Sequence, residues 1–326
     1  MHASPSARPV TTSSLTKDYG GGAGVFDLDL DIDTGSIVGF IGPSGSGKTT
    51  AVRLMTGVMA PDSGTVEVLG ETPAKFSRAT RARIGYMPQK SVLYPDLTLR
   101  ENLNFAASLF GMPYRRKKTI DRLIDFVQLE GASDRLPREA SGGEKRRIML
   151  ASTLIHGPEL IFLDEPTAGI DPVLRRRFWD RFAELAADQK TLLVTTQYVG
   201  EAAYCDYVAV LANGRILTFD TPEGLRRSAY GGEMIEVVFS TSPGSDDVIS
   251  LEKLAEGRFL DWVSTATVRL AVKDPESAFV IIADWAQERG IELDKTETYV
   301  PPFDDVFVAL VSKLDGSSGG DDAVAD

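Results

Sequence analysis

A glycine-rich segment of the chain has the residue types needed to hold a row of phosphate groups. Its glycines let successive backbone N–H groups curl around an anion, while Lys48 would place a positive charge on the outer oxygens. The Thr49 hydroxyl suits one coordination position of Mg2+. The segment reads Gly42, Pro43, Ser44, Gly45, Ser46, Gly47, Lys48 and Thr49, followed by Thr50. This spacing is typical of a nucleotide phosphate-binding loop between a strand and a helix.

Two carboxylates follow an apolar run further along the chain. Asp164 and Glu165 come directly after residues 160–163, whose sequence LIFL is typical of a buried strand. In open α/β sheets ligands bind beyond the carboxyl ends of the strands, so both carboxylates are expected beside the phosphate loop. Asp164 would bind Mg2+, directly or through water, and Glu165 would orient or deprotonate the water that attacks the terminal phosphate.

A second anion-binding feature is predicted where Ser141, Gly142, Gly143 and Glu144 precede a helix. A serine and two glycines at a helix N-terminus can present N–H groups to a phosphate. Taken alone, the same residues would favour an ordinary helix cap. Ser141 lies 23 residues before Asp164.

The apolar pattern predicts the elements that must position these groups. Residues 35–42 form an apolar run ending in glycine, and residues 49–59 have helical character. Further strands are predicted at residues 160–163 and 191–196, with a helix at residues 173–187 between them. Strands that alternate with helices indicate a parallel sheet covered on both faces.

The three motifs together resemble those of the ATP-binding-cassette (ABC) transporter ATPases, over residues 10–228. Residues 42–49 resemble the Walker A motif, residues 160–164 Walker B and residues 141–144 the signature, with the family's spacing. The resemblance implies an α/β P-loop NTPase fold with a RecA-like sheet core and a helical signature subdomain at residues 90–150. It also implies ATP and Mg2+ as ligands.

Further positions match the family in order and spacing. Tyr19 resembles the aromatic residue that stacks on adenine, and Asp171 closes a segment that resembles the D-loop. Gln89 resembles the glutamine that links Mg2+ to the transmembrane partner. The Mg2+ ligands implied by the resemblance are Thr49, Gln89 and Asp164.

Two positions depart from the family pattern. The signature begins with Ala140 and ends with Glu144, where the family more often has leucine and glutamine. Gln197 stands where the family has its switch histidine. Since an amide can hydrogen-bond a γ-phosphate but cannot carry a proton, we expect Gln197 to sense the phosphate and Glu165 to remain the general base.

A change of pattern predicts a second domain. The ABC ATPase domain covers residues 15–228, with a helical insertion whose helices break at residues 111–113. Residues 229–315 are predicted to follow the βαββαβ order of ferredoxin-like α+β domains, as a C-terminal accessory domain. Residues 1–14 and 316–326 have almost nothing to bury and are predicted to be disordered tails.

The C-terminal part resembles one branch of the family. Gln197 recurs in the daunorubicin-resistance-type ATPases, which serve ABC-2-type exporters. Residues 301–307, PPFDDVF, resemble the Pro-x-x-Glu-Asp-Val-Phe ending of that branch, with Asp304 in place of the glutamate. This resemblance favours export of a drug, lipid or other hydrophobic compound; the alternative is a generic small α+β domain.

Composition limits the remaining classes of function. The 326 residues carry a formal net charge of −12, which repels a phosphate backbone, so no nucleic acid partner is expected. The single cysteine, Cys205, cannot form an internal disulfide. The apolar runs are shorter than the roughly 20 residues that cross a bilayer, so a membrane role would need a partner.

The resemblance implies a mechanism that uses two copies. A homodimer would close around two Mg-ATP, each phosphate loop and Glu165 facing the signature of the other copy. Closure would drive a separate ABC-2-type transmembrane permease through Gln89 and residues 94–98, at the cytoplasmic face of the cell membrane. The alternatives are the ATPase of an ABC importer and a soluble ABC ATPase that acts on nucleic acid or ribosomes. A single cassette and the βαββαβ pattern count against them.

Overall fold

The computed structural model describes residues 8–254 and 259–317. The chain divides into two compact units, the first ending at Phe219 and the second beginning at Asp220. No helix in the described ranges is both long enough and apolar enough to span a membrane.

Both units combine strands with helices. The strands are β1 (Val10–Gly20), β2 (Ala23–Ile32), β3 (Ile37–Ile41), β4 (Ser63–Val68), β5 (Ile84–Met87), β6 (Leu160–Asp164), β7 (Thr191–Thr196), β8 (Tyr207–Ala212), β9 (Arg215–Asp220), β10 (Glu233–Phe239), β11 (Leu260–Ser264), β12 (Thr267–Val272) and β13 (Leu293–Tyr299). The helices are α1 (Lys48–Met55), α2 (Arg78–Arg81), α3 (Leu99–Leu109), α4 (Lys117–Phe126), α5 (Gly142–Leu154), α6 (Pro172–Ala187), α7 (Pro222–Tyr230), α8 (Ser245–Leu254), α9 (Pro275–Arg289) and α10 (Phe303–Ser317).

The first unit is built on a six-stranded sheet of order β5-β6-β7-β3-β8-β9. β3 pairs in parallel with β7 on one side and β8 on the other, and β6 joins β7 to β5 in the same sense. The carboxyl ends of β3, β6 and β7, at Ile41, Asp164 and Thr196, therefore lie at one edge of the sheet. The α/β fold predicted from the sequence is confirmed.

A three-stranded antiparallel sheet of order β2-β1-β4 was missed by the sequence analysis. Its strand β1 pairs with β2 through an irregular register between Thr12 and Leu15. Helix α1 packs in the same apolar cluster as both sheets, with Leu54 beside residues such as Leu28 of β2 and Phe40 of β3. One core therefore joins the two sheets through the helix that follows the phosphate loop.

Helices α3, α4 and α5 pack against one another and form the predicted helical insertion. The Arg147 guanidinium of α5 donates hydrogen bonds to the Val127 and Gln128 carbonyls at the end of α4. The predicted break at residues 111–113 separates α3 from α4.

The second unit contains a four-stranded antiparallel sheet of order β11-β12-β10-β13. Helix α8 follows β10 and α9 follows β12, so the elements have the predicted βαββαβ order of ferredoxin-like domains. Its core includes Ile235, Val237 and Phe239 from β10 and Trp285 from α9. Residues 255–258, on which the end of the first predicted helix falls, lie outside the described residues.

Three predicted boundaries are wrong. Residues 10–14 are not a disordered tail, because β1 begins at Val10, which is fully buried and pairs with Ile32. The first domain ends at residue 219 rather than 228, because α7 packs against α10 and belongs to the second unit. Residues 316 and 317 complete α10 rather than start a tail, whereas residues 1–7 and 318–326 lie outside the described residues.

Cys205 packs tightly against β3. A side chain at Gly39 would collide with it, because an ideal Cβ there would lie 2.6 Å from the Cys205 Sγ. Burial raises the pKa of the Cys205 thiol, and the nearby carboxylates of Glu201 and Asp206 raise it further. The thiol is therefore protonated in the folded protein.

Candidate functional site

The phosphate loop runs from the end of β3 to the start of α1, and its glycines are required by close packing. A Cβ at Gly42 would lie 2.1 Å from the Leu211 carbonyl oxygen. Gly47 has φ +101, a conformation that other residues rarely adopt, and its Cβ would lie 2.8 Å from the Gly24 carbonyl oxygen. The loop conformation is thus specified by neighbouring backbone before any ligand binds.

Lys48 folds back over this loop. Its Nζ donates hydrogen bonds to the Gly42 carbonyl at 2.7 Å and the Pro43 carbonyl at 2.9 Å, with the Ser46 Oγ at 3.5 Å. Burial lowers the pKa of Lys48, while the charges of Glu165 and Asp164 act in the opposite direction. An anion bound next to Lys48 would therefore stabilise the charged form of its ammonium group.

Asp164 ends β6 as a fully buried carboxylate. Its Oδ1 accepts hydrogen bonds from the Thr49 hydroxyl at 3.0 Å and the Thr195 hydroxyl at 2.6 Å. Its Oδ2 is buried and has no hydrogen-bond partner within the described part of the chain. A buried carboxylate oxygen without a partner, next to a threonine hydroxyl, is the kind of oxygen donor that Mg2+ prefers, so these residues fit the ion.

Glu165 follows with a left-handed backbone, at φ +52. Such a conformation is uncommon for a residue other than glycine and persists when its surroundings enforce it. The Glu165 N–H donates to the Thr195 carbonyl at 3.1 Å and the Thr195 hydroxyl at 3.0 Å. The Glu165 carbonyl accepts a hydrogen bond from the Arg146 guanidinium.

A cleft of about 320 Å³ gathers much of the predicted nucleotide site. The predicted residues that line it are Tyr19, Ser44, Gly45, Gly47, Lys48, Thr49, Thr50, Gln89 and Glu165. Ala23 and Gly24, which the sequence analysis did not single out, line it as well. Tyr19 is 51% exposed, and its hydroxyl contacts the Met59 sulfur at 2.9 Å, so its ring is available to a planar ligand.

The signature residues are not part of this cleft. They form a capping box, in which the Ser141 hydroxyl accepts the Glu144 N–H at 3.1 Å and the Glu144 carboxylate accepts the Ser141 N–H at 2.7 Å. The hydrogen bond to the Ser141 N–H lowers the pKa of Glu144. A Cβ at Gly142 would meet no atom of the described residues within 4 Å, and one at Gly143 would lie 3.6 Å from the Gly169 carbonyl oxygen.

The two remaining predicted residues lie at element ends. Asp171 caps α6, its Oδ1 accepting the Leu174 N–H at 3.0 Å. Gln197 is exposed and follows Thr196 at the carboxyl end of β7, the strand beside Asp164. Neither lines the cleft. Gln197 therefore lies at the same edge of the sheet as Asp164 but does not line the cleft.

Several residues that support the site were not predicted from the sequence. Thr195 bonds both Asp164 and Glu165, and the pairing of β6 with β7 could have indicated it. Arg175 places its Nε 3.6 Å from the Glu201 Oε1 and its guanidinium carbon 4.0 Å from the Tyr198 ring centre. Its Nη2 donates to the Ile170 carbonyl at 3.2 Å. No spacing rule in the sequence indicates this contact.

A parallel sheet whose carboxyl edge carries a phosphate loop, a buried aspartate and a following glutamate defines a P-loop nucleoside triphosphatase. The family model described as ABC transporter matches residues 25–168. The Nod factor export ATP-binding protein I of Rhizobium sp. (strain N33) is 35% identical over 306 residues, covering 93% of this chain and 97% of that protein. The chain belongs to the ABC transporter ATP-binding family and is the ATPase subunit of such a transporter.

Two further similarities agree with this assignment. The probable multidrug ABC transporter ATP-binding protein YbhF of Escherichia coli (strain K12) is 35% identical over 93% of this chain, which spans 52% of that longer protein. A dimeric ATP-binding cassette, MJ0796, in a post-hydrolysis state with ADP and Pi, is 25% identical with a TM-score of 0.59. That match covers 65% of this chain and 98% of the cassette. The chain is therefore an ATP-binding subunit that hydrolyses ATP.

Proposed function

We propose that the cleft beside Lys48 binds Mg-ATP and that Glu165 is the general base for its hydrolysis. Lys48 would exchange its hydrogen bonds to loop carbonyls for the phosphate oxygens, and Tyr19 would stack on the adenine. Thr49, Asp164 and Gln89 would hold Mg2+, which supplies charge neutralisation at the phosphates when bound. Gln197 would hydrogen-bond the γ-phosphate. The observation that carries the proposal is the buried Oδ2 of Asp164, which has no hydrogen-bond partner among the described residues and lies on the carboxylate that the Thr49 hydroxyl contacts.

The signature supports a dimeric mechanism for this chain. Ser141, Gly142 and Gly143 do not line the chain's own cleft, and no residue in the described ranges lies within 4 Å of where a Gly142 side chain would begin. The Ser141 oxygen accepts an N–H while its O–H remains able to donate to an anion. We infer that these groups complete the ATP site of a second, identical copy. The similar solved cassette is dimeric.

A groove in the first unit suits the permease. It has a volume of about 340 Å³ and includes the apolar side chains of Pro88, Val92, Leu93, Tyr94, Phe105, Leu109 and Phe110. One of its residues, Pro88, directly precedes Gln89 in the sequence, and another, Tyr94, belongs to the predicted permease interface. We propose that a helix of an ABC-2-type permease binds here, with the ATPase held at the cytoplasmic face of the membrane. The relatives named for Nod factor export and multidrug transport favour export of a hydrophobic compound.

The test is the variant Glu165→Gln, which removes the base but keeps the shape of the side chain. We expect kcat for ATP hydrolysis to fall by about 100-fold or more, because a positioned base contributes 10²–10⁴-fold. ATP binding, measured by calorimetry, should be retained. The matched control is Glu159→Gln: Glu159 precedes the other end of β6, is exposed and pairs with Arg83. Full turnover by Glu165→Gln would refute the proposed base.

A further inference from the structure

Arg146 joins three parts of the catalytic machinery, and the mechanism above leaves it without a role. It lies in the second turn of α5, the helix that begins at the signature. One terminal nitrogen of its guanidinium donates to the Glu165 carbonyl, and the other donates to the Gln89 carbonyl at 2.9 Å. A single half-buried side chain therefore contacts the backbone of the proposed base, Glu165, and of the proposed Mg2+ ligand, Gln89.

The contact with Glu165 matters because that residue has an unusual backbone. At φ +52 its conformation must be enforced from outside. Thr195 holds the N–H of Glu165, and Arg146 holds its carbonyl. The Glu165 carbonyl also accepts the Ala168 N–H at 3.3 Å, within the turn that follows β6. Hydrogen bonds on both sides of Glu165 thus fix the direction in which its carboxylate leaves the backbone.

We propose that Arg146 is a positioning residue that fixes the Glu165 carboxylate toward the cleft and ties it to Gln89 and to the signature helix. A movement of Gln89 or of α5 would then move the carbonyl of the base directly. The inference deepens the proposed function, since it rests on Glu165 being the base. Within the described residues, the guanidinium of Arg146 donates its hydrogen bonds to backbone oxygens, so it acts through Glu165 rather than on the nucleotide.

The guanidinium is suited to this role in a way that lysine is not. Its planar fork presents two terminal nitrogens, and here each one meets a different carbonyl. Burial lowers the pKa of Arg146, while the charges of Glu165 and Asp164 oppose the shift. Arginine keeps its charge in this setting, but the single nitrogen of a lysine would have to choose between the two acceptors.

The test compares Arg146→Gln and Arg146→Lys with the neighbouring control Arg147→Gln. Arg147 is also half-buried, but it donates to carbonyls at the end of α4, away from Glu165. For both Arg146 variants we expect kcat for ATP to fall by about 10–100-fold with KM changed less than about threefold, because a misplaced catalytic group costs up to 10²-fold in rate. Arg147→Gln should lower the melting temperature but leave kcat within about threefold. Wild-type kcat in Arg146→Lys, or an equal loss in Arg147→Gln, would overturn the proposal.

A double variant separates this inference from the function on which it rests. If Arg146 acts through Glu165, Arg146→Gln combined with Glu165→Gln should turn over no more slowly than Glu165→Gln alone. A further loss in the double variant would mean that Arg146 acts independently, against the inference. Full turnover by Glu165→Gln alone would instead refute the base. An inactive Glu165→Gln beside a fully active Arg146→Gln would refute only the role of Arg146.

Discussion

At the residue scale, the site brings together charged groups that the chain itself balances only in part. Lys48 donates hydrogen bonds to two loop carbonyls, and one oxygen of Asp164 has no partner in the described residues. The charge of Lys48 is disfavoured by burial, which lowers its pKa. An anion placed beside it would reverse that effect. Binding of ATP should therefore be linked to the protonation of this one side chain.

We predict that ATP binding takes up a proton at alkaline pH. Burial lowers the pKa of Lys48 in the free protein, and bound phosphates would raise it. At a pH between these two pKa values, the neutral amine of the free protein takes up a proton when ATP binds. ATP affinity should then fall as pH rises through the pKa of the free protein. Calorimetry of ATP binding to Glu165→Gln in buffers of different ionisation enthalpy measures the uptake. Lys48→Arg, which stays charged, is the control, and a buffer-independent enthalpy for Glu165→Gln would contradict the prediction.

The residues whose type the ligand dictates could be predicted from the sequence. The residues that hold them in place by hydrogen bonds could not. Lys48, Thr49 and Asp164 occur at a spacing that phosphate and Mg2+ impose. Thr195 and Arg146 act by hydrogen bonds that cross between elements, and such contacts have no fixed spacing in the chain. Strand order had to be known before either could be found.

At the scale of elements, the start of α6 is joined to the short turn after β7 by a buried ion pair. Glu201 is 2% exposed, and both of its carboxylate oxygens are buried without a hydrogen-bond partner in the described ranges. The Arg175 Nε, 3.6 Å from Oε1, balances its charge. The same guanidinium bonds the Ile170 carbonyl and stacks on Tyr198, the residue after Gln197. The pair therefore fixes the D-loop segment and the Gln197 segment relative to each other.

We predict that Arg175→Leu destabilises the protein by about 3–5 kcal/mol, because it leaves the Glu201 charge buried without a counterion. Replacing Glu201 by leucine as well should recover most of that loss. Urea unfolding of the single and double variants measures both values. Arg176→Leu is the matched control, since Arg176 neighbours Arg175 on α6 but pairs with Asp180 at the surface. A single variant as stable as the Arg176 control would contradict the prediction.

Elements were predictable where one periodicity applied along their whole length. The buried strands β3, β6 and β7 are continuous apolar runs, and each was predicted within a few residues. β1 was missed because its register is irregular and its buried residues, such as Val10, Thr12 and Leu15, do not alternate regularly. β2 does alternate, with Leu28, Leu30 and Ile32 buried, and the pattern was available in the sequence. The end of the first domain was misplaced because nothing in the sequence of α7 indicates which of the two units it packs against.

At the scale of the whole molecule, one chain contains the parts of a complete ATP site, but they do not meet. The signature lies outside the chain's own cleft, and in the part of the chain that the structure describes nothing lies within 4 Å of a Cβ at Gly142. A second copy would supply what the cleft lacks. The stability of that pair would depend on ATP, since the nucleotide would be shared between the two surfaces.

We predict that Gly142→Asp abolishes ATP-dependent dimerisation without harming the fold. The added side chain has open space in the chain but would set a negative charge against the triphosphate of the opposite copy. Sedimentation in the presence of ATP measures the effect in proteins that carry Glu165→Gln. The Glu165→Gln protein should sediment as a dimer, and the double variant that also carries Gly142→Asp should sediment as a monomer. Gly131→Asp is the control, because a Cβ at that exposed glycine also meets none of the described residues within 4 Å. Unpaired Glu165→Gln under saturating ATP would argue against the dimer itself.

The buried thiol of Cys205, which packs against Gly39, can report how often this part of the fold opens. Alkylating reagents react with a thiolate, so labelling of Cys205 must wait for an opening that lets solvent reach it. The strand that covers it leads directly into the phosphate loop. A nucleotide that holds this region closed would therefore lengthen the labelling half-life, and one native side chain would report occupancy of the loop without any attached dye.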